Sequence, residues 1–126
     1  MSLRTPLATA KGTGSAKEGT GHFWHQRLTA LALIPMVIWF CFSLASLPAL
    51  DYASIREWMA SPVSAILMIS ALIALFYHAA LGLQVVIEDY VSDRGTRAAG
   101  IIAVNLLSVL LAITGVFSVL KIALGS

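Results

Sequence analysis

A single histidine lies in the middle of a long apolar stretch of this sequence. No Asp, Glu, Lys or Arg occurs between Glu57 and Glu88, and His78 lies within that interval. Asp89 follows it by eleven residues, which is about 16 Å along a helix at 1.5 Å per residue. A polar ring at that depth of a bilayer is costly unless it has a partner. The partner is either a neighbouring helix, through a structural hydrogen bond, or a haem iron, for which neutral imidazole is a common axial ligand.

The helix face around His78 carries small side chains. At about 100° per residue, Ala74 and Gly82 lie one turn on either side of the histidine. Small residues allow close approach of a flat macrocycle, but they also favour ordinary helix packing, so both interpretations stay open. His22 and His25 precede the first apolar run and are expected at the interface, too far from His78 in depth. If His78 ligates a haem, the second axial histidine is therefore expected from another chain.

Three further polar residues lie at the ends of apolar runs. Tyr90 is either part of an interfacial aromatic belt or a phenol that donates a hydrogen bond to a quinone carbonyl. Asp89 is either a solvated helix-end charge or a partner for Arg27 or Arg94. Arg27 is either a cationic anchor on the cytoplasmic side of the membrane, as the positive-inside rule predicts, or a partner for haem propionates, which a guanidinium suits well.

Long apolar runs must position these residues. The patterning predicts an all-α membrane protein with three transmembrane helices at about 27–47, 63–90 and 97–121, because about 20 apolar residues span a bilayer as a helix. No run alternates with period two, as barrel strands would. A short interfacial helix is expected at 51–59, and a tight turn at 92–95 joins the last two spans.

The composition excludes an ordinary soluble domain. Hydrophobic residues make up 59% of the 126 residues and charged residues 11%, against about 25% charged in soluble domains. The net charge of +2 is not arranged in a basic stripe, so nucleic-acid binding is not indicated. The single cysteine, Cys41, can form neither an intrachain disulfide nor a multi-cysteine metal site.

Charge distribution predicts the orientation of the chain. Residues 1–21 form a polar N-terminal segment, and residues 22–126 form the three-helix transmembrane region. Lys and Arg residues divide six against two between the two sides of the membrane, with Arg4, Lys11, Lys17, Arg27, Arg94 and Arg97 on one side and Arg56 and Lys121 on the other. In a bacterial host the N-terminus is therefore expected in the cytoplasm and the C-terminus in the periplasm.

Two short motifs resemble those of a known family. The first is Arg27-Leu28-Thr29-Ala30, preceded by Gly21 and His22; the second is His78-Ala79 followed by Gly82 and Asp89-Tyr90-Val91. With the three-helix plan, they make the sequence similar to the small hydrophobic membrane anchor of bacterial succinate dehydrogenase, respiratory complex II. The second motif is the more specific of the two, because its spacing agrees with the topology.

The resemblance implies a role for each candidate residue. The family's anchor forms half of a heterodimeric helix bundle that holds one haem b, with one histidine from each subunit. By motif position, His78 is the axial ligand of this chain and Arg27 lies near the haem propionates. Tyr90 binds the ubiquinone headgroup at the cytoplasmic side, and Asp89 belongs to the same polar cluster.

The resemblance also implies a division of labour in the bacterial inner membrane. The expected partners are a second anchor subunit of cytochrome b type, an iron–sulfur subunit and a flavoprotein that oxidises succinate, linking the citric acid cycle to the respiratory chain. This chain carries no nucleotide motif or cysteine cluster, so no dehydrogenase activity is expected of it alone. The alternatives are an anchor of a quinol:fumarate reductase and a non-redox structural subunit in which His78 only hydrogen-bonds.

Overall fold

The computed structural model describes residues 5–7 and 16–125, and four helices account for most of this part of the chain. They are α1 (Ala16–Ala45), α2 (Tyr52–Ala60), α3 (Pro62–Tyr90) and α4 (Arg94–Ala123). Helices α1, α3 and α4 are each long and apolar enough to cross a membrane, and the described residues contain no strand. The predicted fold class, an all-α protein with three membrane spans, is confirmed.

Helix α1 begins well before the position that the sequence indicated. It starts at Ala16, not near residue 27, and continues through Gly19 and Gly21. Each glycine costs about 1 kcal/mol relative to alanine inside a helix, which is why the polar stretch had no helical signature. Packing of the segment around residues 22–26 against α3 offsets that cost. Of the N-terminal segment expected at 1–21, residues 1–4 and 8–15 lie outside the described residues.

The short interfacial helix forms almost where it was expected. Asp51 caps α2, since its carboxylate accepts a 2.9 Å hydrogen bond from the backbone N–H of Ser54. Trp58 packs against Trp39 of α1, with ring centroids 5.7 Å apart. Arg56 donates a 3.0 Å hydrogen bond to the carbonyl of Gly125, which holds α2 against the end of α4.

The connection between α3 and α4 is shorter than the predicted turn. The expected turn at 92–95 is wrong at its second half, because α4 already begins at Arg94. Asp93 is the helix cap, and its carboxylate accepts hydrogen bonds from the backbone N–H of Thr96 at 2.8 Å and from the Thr96 hydroxyl at 2.7 Å. Only residues 91–93 therefore connect the two helices.

Helix α3 is the centre of an open arrangement. It packs against α1 on one side and α4 on the other, and within the described residues the backbones of α1 and α4 do not approach each other closely. The buried cluster is small, with Met59, Ala65 and Val119 at its centre near one end of the spans. Most large apolar side chains of the three spans are exposed, so lipid or another chain must cover them.

Candidate functional site

His78 lies in the middle of α3 and contacts α1 across the helix interface. Nδ1 of His78 lies 3.0 Å from Oγ1 of Thr29. Nε2 of His78 has no hydrogen-bond partner among the residues that the structure describes. His78 is half-buried, whereas Thr29 is only 8% exposed. One ring nitrogen is thus engaged within the chain, and the other is available to a group outside it.

Thr29 also contacts the backbone of its own helix. Oγ1 is 2.8 Å from the carbonyl oxygen of His25 and 3.0 Å from that of Gln26. A local hydrogen bond of this kind is typical of a threonine in a helix. The additional contact with His78 was not expected from the sequence.

His25 was expected at the membrane interface, far from His78 in depth, and the structure corrects this. His25 lies inside α1, one turn from Thr29, and Tyr77 O–H is 2.7 Å from its Nδ1. Since Tyr77 precedes His78, His25 lies within about one helical turn of His78 in depth, roughly 5 Å. The expectation of a large difference in depth was wrong because it assumed that α1 begins near residue 27.

A cavity of about 340 Å³ opens between α1 and α3 on the side that leads to Tyr90. Its lining includes Arg27 and, across the interface, Gly82; the complete lining is His22, Phe23, Gln26, Arg27, Gly82 and Val85. Two polar atoms there, Nε2 of His22 and Oε1 of Gln26, are buried without a hydrogen-bond partner among the described residues. Buried polar atoms normally find a partner, so this cavity is suited to a polar group from outside the chain.

Arg27 is held at this cavity by an aromatic contact. Its guanidinium carbon lies 5.1 Å from the centre of the Phe23 ring, within the range of cation–π attraction. Arg27 is exposed and its hydrogen-bond donors have no partner among the described residues. The structure thus brings Arg27 next to Gly82, one turn along α3 from His78.

Tyr90 and Asp89 lie at the end of α3, away from the contacts of His78. Tyr90 is 85% exposed, and Asp89 is exposed. No ion pair joins Asp89 to Arg27 or to Arg94 among the described residues, so an intrachain partnership of these charges is not observed. Tyr90 and Asp89 therefore face a neighbour that is not part of this chain, or solvent.

The segment after Tyr90 is tied down by polar contacts. Arg97 Nε donates a 2.9 Å hydrogen bond to the carbonyl of Val91. The backbone N–H of Thr96 and, next, its hydroxyl hold the pKa of the Asp93 carboxyl below the ordinary value of 3.8. The end of α3 that carries Tyr90 is therefore joined closely to the start of α4.

A second, larger groove lies on the other side of α3. It has a volume of about 450 Å³ between α3 and α4, and its polar lining residues are Tyr77, Gln84, Asn105 and Ser108. Asn105 lies inside the apolar third span; it is exposed and lines this groove. Polar side chains thus line a groove on each of two faces of the central helix.

Possible metal ligands are not clustered in the described part of the chain. Among the described residues, no three His, Cys, Asp or Glu side chains converge. His78 can offer its free Nε2 to a metal, as an axial ligand does in a haem protein.

Comparison with known proteins identifies the family. Residues 1–117 match the model of the succinate dehydrogenase/fumarate reductase transmembrane subunit. The chain belongs to this family. The match covers α1, α2, α3 and most of α4, so the whole site described above lies inside it.

Curated relatives in this family have closely similar lengths. The chain is 40% identical over 108 residues to the succinate dehydrogenase hydrophobic membrane anchor subunit of Rickettsia bellii, covering 86% of each chain. It is 29% identical over 126 residues to the subunit of the same name from Paracoccus denitrificans, covering 100% of this chain and 97% of that one. The succinate dehydrogenase membrane anchor subunit of Reclinomonas americana is 25% identical over 96 residues, covering 74% of this chain and 80% of that one. The resemblance to succinate dehydrogenase anchors is confirmed.

Sequence reasoning missed several residues of the site in this family member. His25 and Gln26 were not selected, because the polar segment before residue 27 was not expected to be helical. Tyr77 was not selected because its partner, His25, lies in that segment. The only available signal was spacing: His22, His25, Gln26 and Thr29 recur at three- and four-residue intervals, which places them on one face if the helix is extended backwards.

Proposed function

We propose that this chain is a membrane-anchor subunit of a succinate:ubiquinone oxidoreductase. It attaches the flavoprotein and iron–sulfur subunits to the bacterial inner membrane, supplies one axial ligand to haem b and contributes to the quinone-reduction site. The observation that carries the proposal is the pairing of His78 Nδ1 with Thr29 at 3.0 Å, with Nε2 left unpaired among the described residues. A ligating histidine typically has its second ring nitrogen hydrogen-bonded in this way.

The residues around His78 fit a haem. Ala74 and Gly82 flank the histidine with little side-chain volume. Because Thr29 already contacts His78 directly, α1 and α3 leave no room for a macrocycle between them at that level. This supports a haem on the open side of the bundle, with its second ligand from another anchor subunit of cytochrome b type. Haem b supplies a one-electron redox centre when it is bound.

The cavity beside Gly82 fits the carboxylate edge of such a group. Arg27 provides a fixed positive charge with several donors, and His22 Nε2 can donate a hydrogen bond to a carboxylate if it carries the ring proton. These groups would hold propionates at the end of the cavity nearest the cytoplasmic surface. Binding there would also satisfy at least one of the two unpartnered polar atoms.

Tyr90 is proposed to bind ubiquinone. Its hydroxyl has no intrachain partner among the described residues and is free to donate a hydrogen bond to a quinone carbonyl oxygen. Such a bond orients the headgroup and favours the negative charge that develops on the oxygen during reduction. Asp89, the preceding residue, contributes negative charge to the same polar cluster.

The chain does not oxidise succinate in this proposal. Electrons pass from the flavoprotein through the iron–sulfur subunit to ubiquinone at the membrane surface, joining the citric acid cycle to the respiratory chain. No dehydrogenase activity is expected from the chain alone. The alternative is an anchor of a quinol:fumarate reductase, which the family's name also includes; membrane lipid covers the remaining apolar surface in either case.

An optical spectrum tests the haem assignment. The complex purified from native membranes through a tag on this chain should show a reduced-minus-oxidised b-type haem spectrum. His78→Ala should remove or shift that spectrum, because the iron loses a ligand. The control is His25→Ala, which changes the neighbouring histidine of α1. An unaltered spectrum in the assembled His78→Ala complex would leave His78 as a structural hydrogen-bonding residue only.

A further inference from the structure

The hydroxyl group of Thr29 has three polar neighbours but only one proton. Oγ1 lies 2.8 Å and 3.0 Å from the carbonyl oxygens of His25 and Gln26, and 3.0 Å from Nδ1 of His78. Carbonyl oxygens can only accept, so the hydroxyl proton is directed to one of them, as is usual for a threonine inside a helix. Oγ1 is then an acceptor for the third neighbour.

This arrangement favours one of the two neutral tautomers of His78. If Oγ1 accepts, Nδ1 must be the N–H donor, and Nε2 of the neutral ring has a free lone pair. The opposite tautomer would put the proton on Nε2, which has no acceptor among the described residues. We infer that Thr29 is the positioning residue that holds His78 in the tautomer and orientation needed for metal ligation through Nε2. This inference rests on the proposed function, in which His78 binds haem iron.

The position of Thr29 makes the contact persistent. The side chain is 8% exposed, so water has little access to compete for Nδ1. Threonine is β-branched, and few side-chain rotamers are available to it in a helix. The bond also joins two different helices, so rotation of the imidazole ring would require the loss of a contact between α1 and α3.

A hydrogen bond at Nδ1 also changes the properties of the ligand. It increases the basicity of the imidazole, and hydrogen bonding behind the ligand is one of the means by which a protein sets a haem potential. A more basic ligand favours ferric over ferrous iron. Loss of the acceptor should therefore raise the midpoint potential of the haem, and release of the ring should change the g values of the ferric haem.

Four variants of the complete chain, each in the complex purified from native membranes, separate this role from simple packing. Thr29→Val keeps the shape and removes the acceptor, Thr29→Ser keeps the hydroxyl, and Thr29→Cys supplies a weaker acceptor. Thr114→Val is the matched control, since the Thr114 hydroxyl donates a 2.8 Å bond to the carbonyl of Leu110 in α4 and has no histidine partner among the described residues. Redox titration of the haem absorbance and low-temperature electron paramagnetic resonance measure the effects.

The midpoint potential of the haem should be highest in Thr29→Val, lower in Thr29→Cys and lower again in Thr29→Ser. Thr29→Ser and the control Thr114→Val should both lie near the wild type. The ferric g values should shift in the same order. Wild-type potential and g values in Thr29→Val would overturn the inference. If Thr29→Val does not assemble, the comparison of Cys with Ser decides the question: equal potentials in those two variants would also overturn it.

The two proposals fail in different ways. If His78→Ala keeps an unaltered haem spectrum, the ligand assignment fails and the role of Thr29 fails with it. If His78→Ala loses the haem while the Thr29 series leaves potential and g values unchanged, only the positioning role of Thr29 is wrong.

Discussion

At the scale of single residues, the site divides into groups with and without intrachain partners. Nδ1 of His78 is paired with Thr29, and His25 is paired with Tyr77. Tyr90 has no such partner among the described residues and is 85% exposed. The hydroxyl of Tyr90 is therefore open to a partner outside the chain, which the proposed quinone role requires.

Replacing Tyr90 tests the quinone assignment. Tyr90→Phe removes one donor and leaves the helix end intact, since the hydroxyl makes no described intrachain contact. Loss of a hydrogen bond worth roughly 0.5–1.5 kcal/mol should lower succinate-dependent ubiquinone reduction about two- to thirteenfold. Reduction of an artificial dye that accepts electrons before the membrane should be almost unaffected.

A second exposed tyrosine provides the control for that prediction. Tyr52 is 70% exposed and lies in α2, at the opposite end of the spans. Tyr52→Phe should leave both assays unaltered. Equal losses in the quinone and dye assays for Tyr90→Phe would indicate an assembly defect and contradict a direct role in quinone binding.

At the scale of elements, the starts of α2 and α4 are fixed by aspartate side chains. Asp51 and Asp93 each accept a hydrogen bond from the backbone three residues ahead, which satisfies an N–H group that the helix itself leaves unpaired. The carboxylate of Asp93 therefore sets the start of α4 and, through the short link, the position of the end of α3.

The cap at Asp93 predicts a pH dependence of stability. The Thr96 N–H and hydroxyl lower the pKa of Asp93 below 3.8 in the folded protein, so its stabilising contribution is present above the unfolded value and is lost as pH falls through the folded one. Asparagine can cap the helix but carries no charge, so Asp93→Asn should have a slightly lower melting temperature than the wild type at pH 7. That difference should shrink below about pH 4.

Thermal unfolding in detergent, followed by circular dichroism between about pH 3 and pH 7, measures this effect. Asp89→Asn is the control, because Asp89 is exposed and caps no helix. If the melting temperatures of the wild type and Asp93→Asn instead differ by the same amount across the acidic range, the charged cap does not contribute in the way described.

At the scale of the whole molecule, the three spans form an incomplete bundle. Helices α1 and α4 flank α3, and their backbones do not approach each other closely in the described part of the chain. Both faces of α3 have a groove with polar lining residues. An isolated protein of this size would be expected to bury its polar side chains among its own helices. The open arrangement is consistent with a family whose relatives are named as anchor subunits.

The positive-inside pattern predicts the orientation of the molecule. Alkaline phosphatase is active only in the periplasm, so a fusion after Ser126 should be active and a fusion after Ser92 should be inactive in a bacterial host. Cytoplasmic fluorescent-protein fusions at the same two positions should give the reverse result. Activity of the Ser92 fusion with inactivity of the Ser126 fusion would reverse the orientation and place Tyr90 on the periplasmic side.

The sequence by itself determined that this is a membrane protein, and it indicated the approximate positions of the three spans and of the short helix α2. It also singled out His78 as a candidate site residue. These depend on composition and periodicity, which are local properties. The motifs around His78 and Tyr90 were also sufficient to indicate the family.

Only the tertiary structure decided how long α1 is and what His78 contacts. Gly19 and Gly21 suppress the local helical signal, and packing of the following turns against α3 overrides it. The bond from His78 to Thr29 joins positions 49 residues apart. No local pattern encodes such a contact, because it depends on how two helices are aligned across their interface.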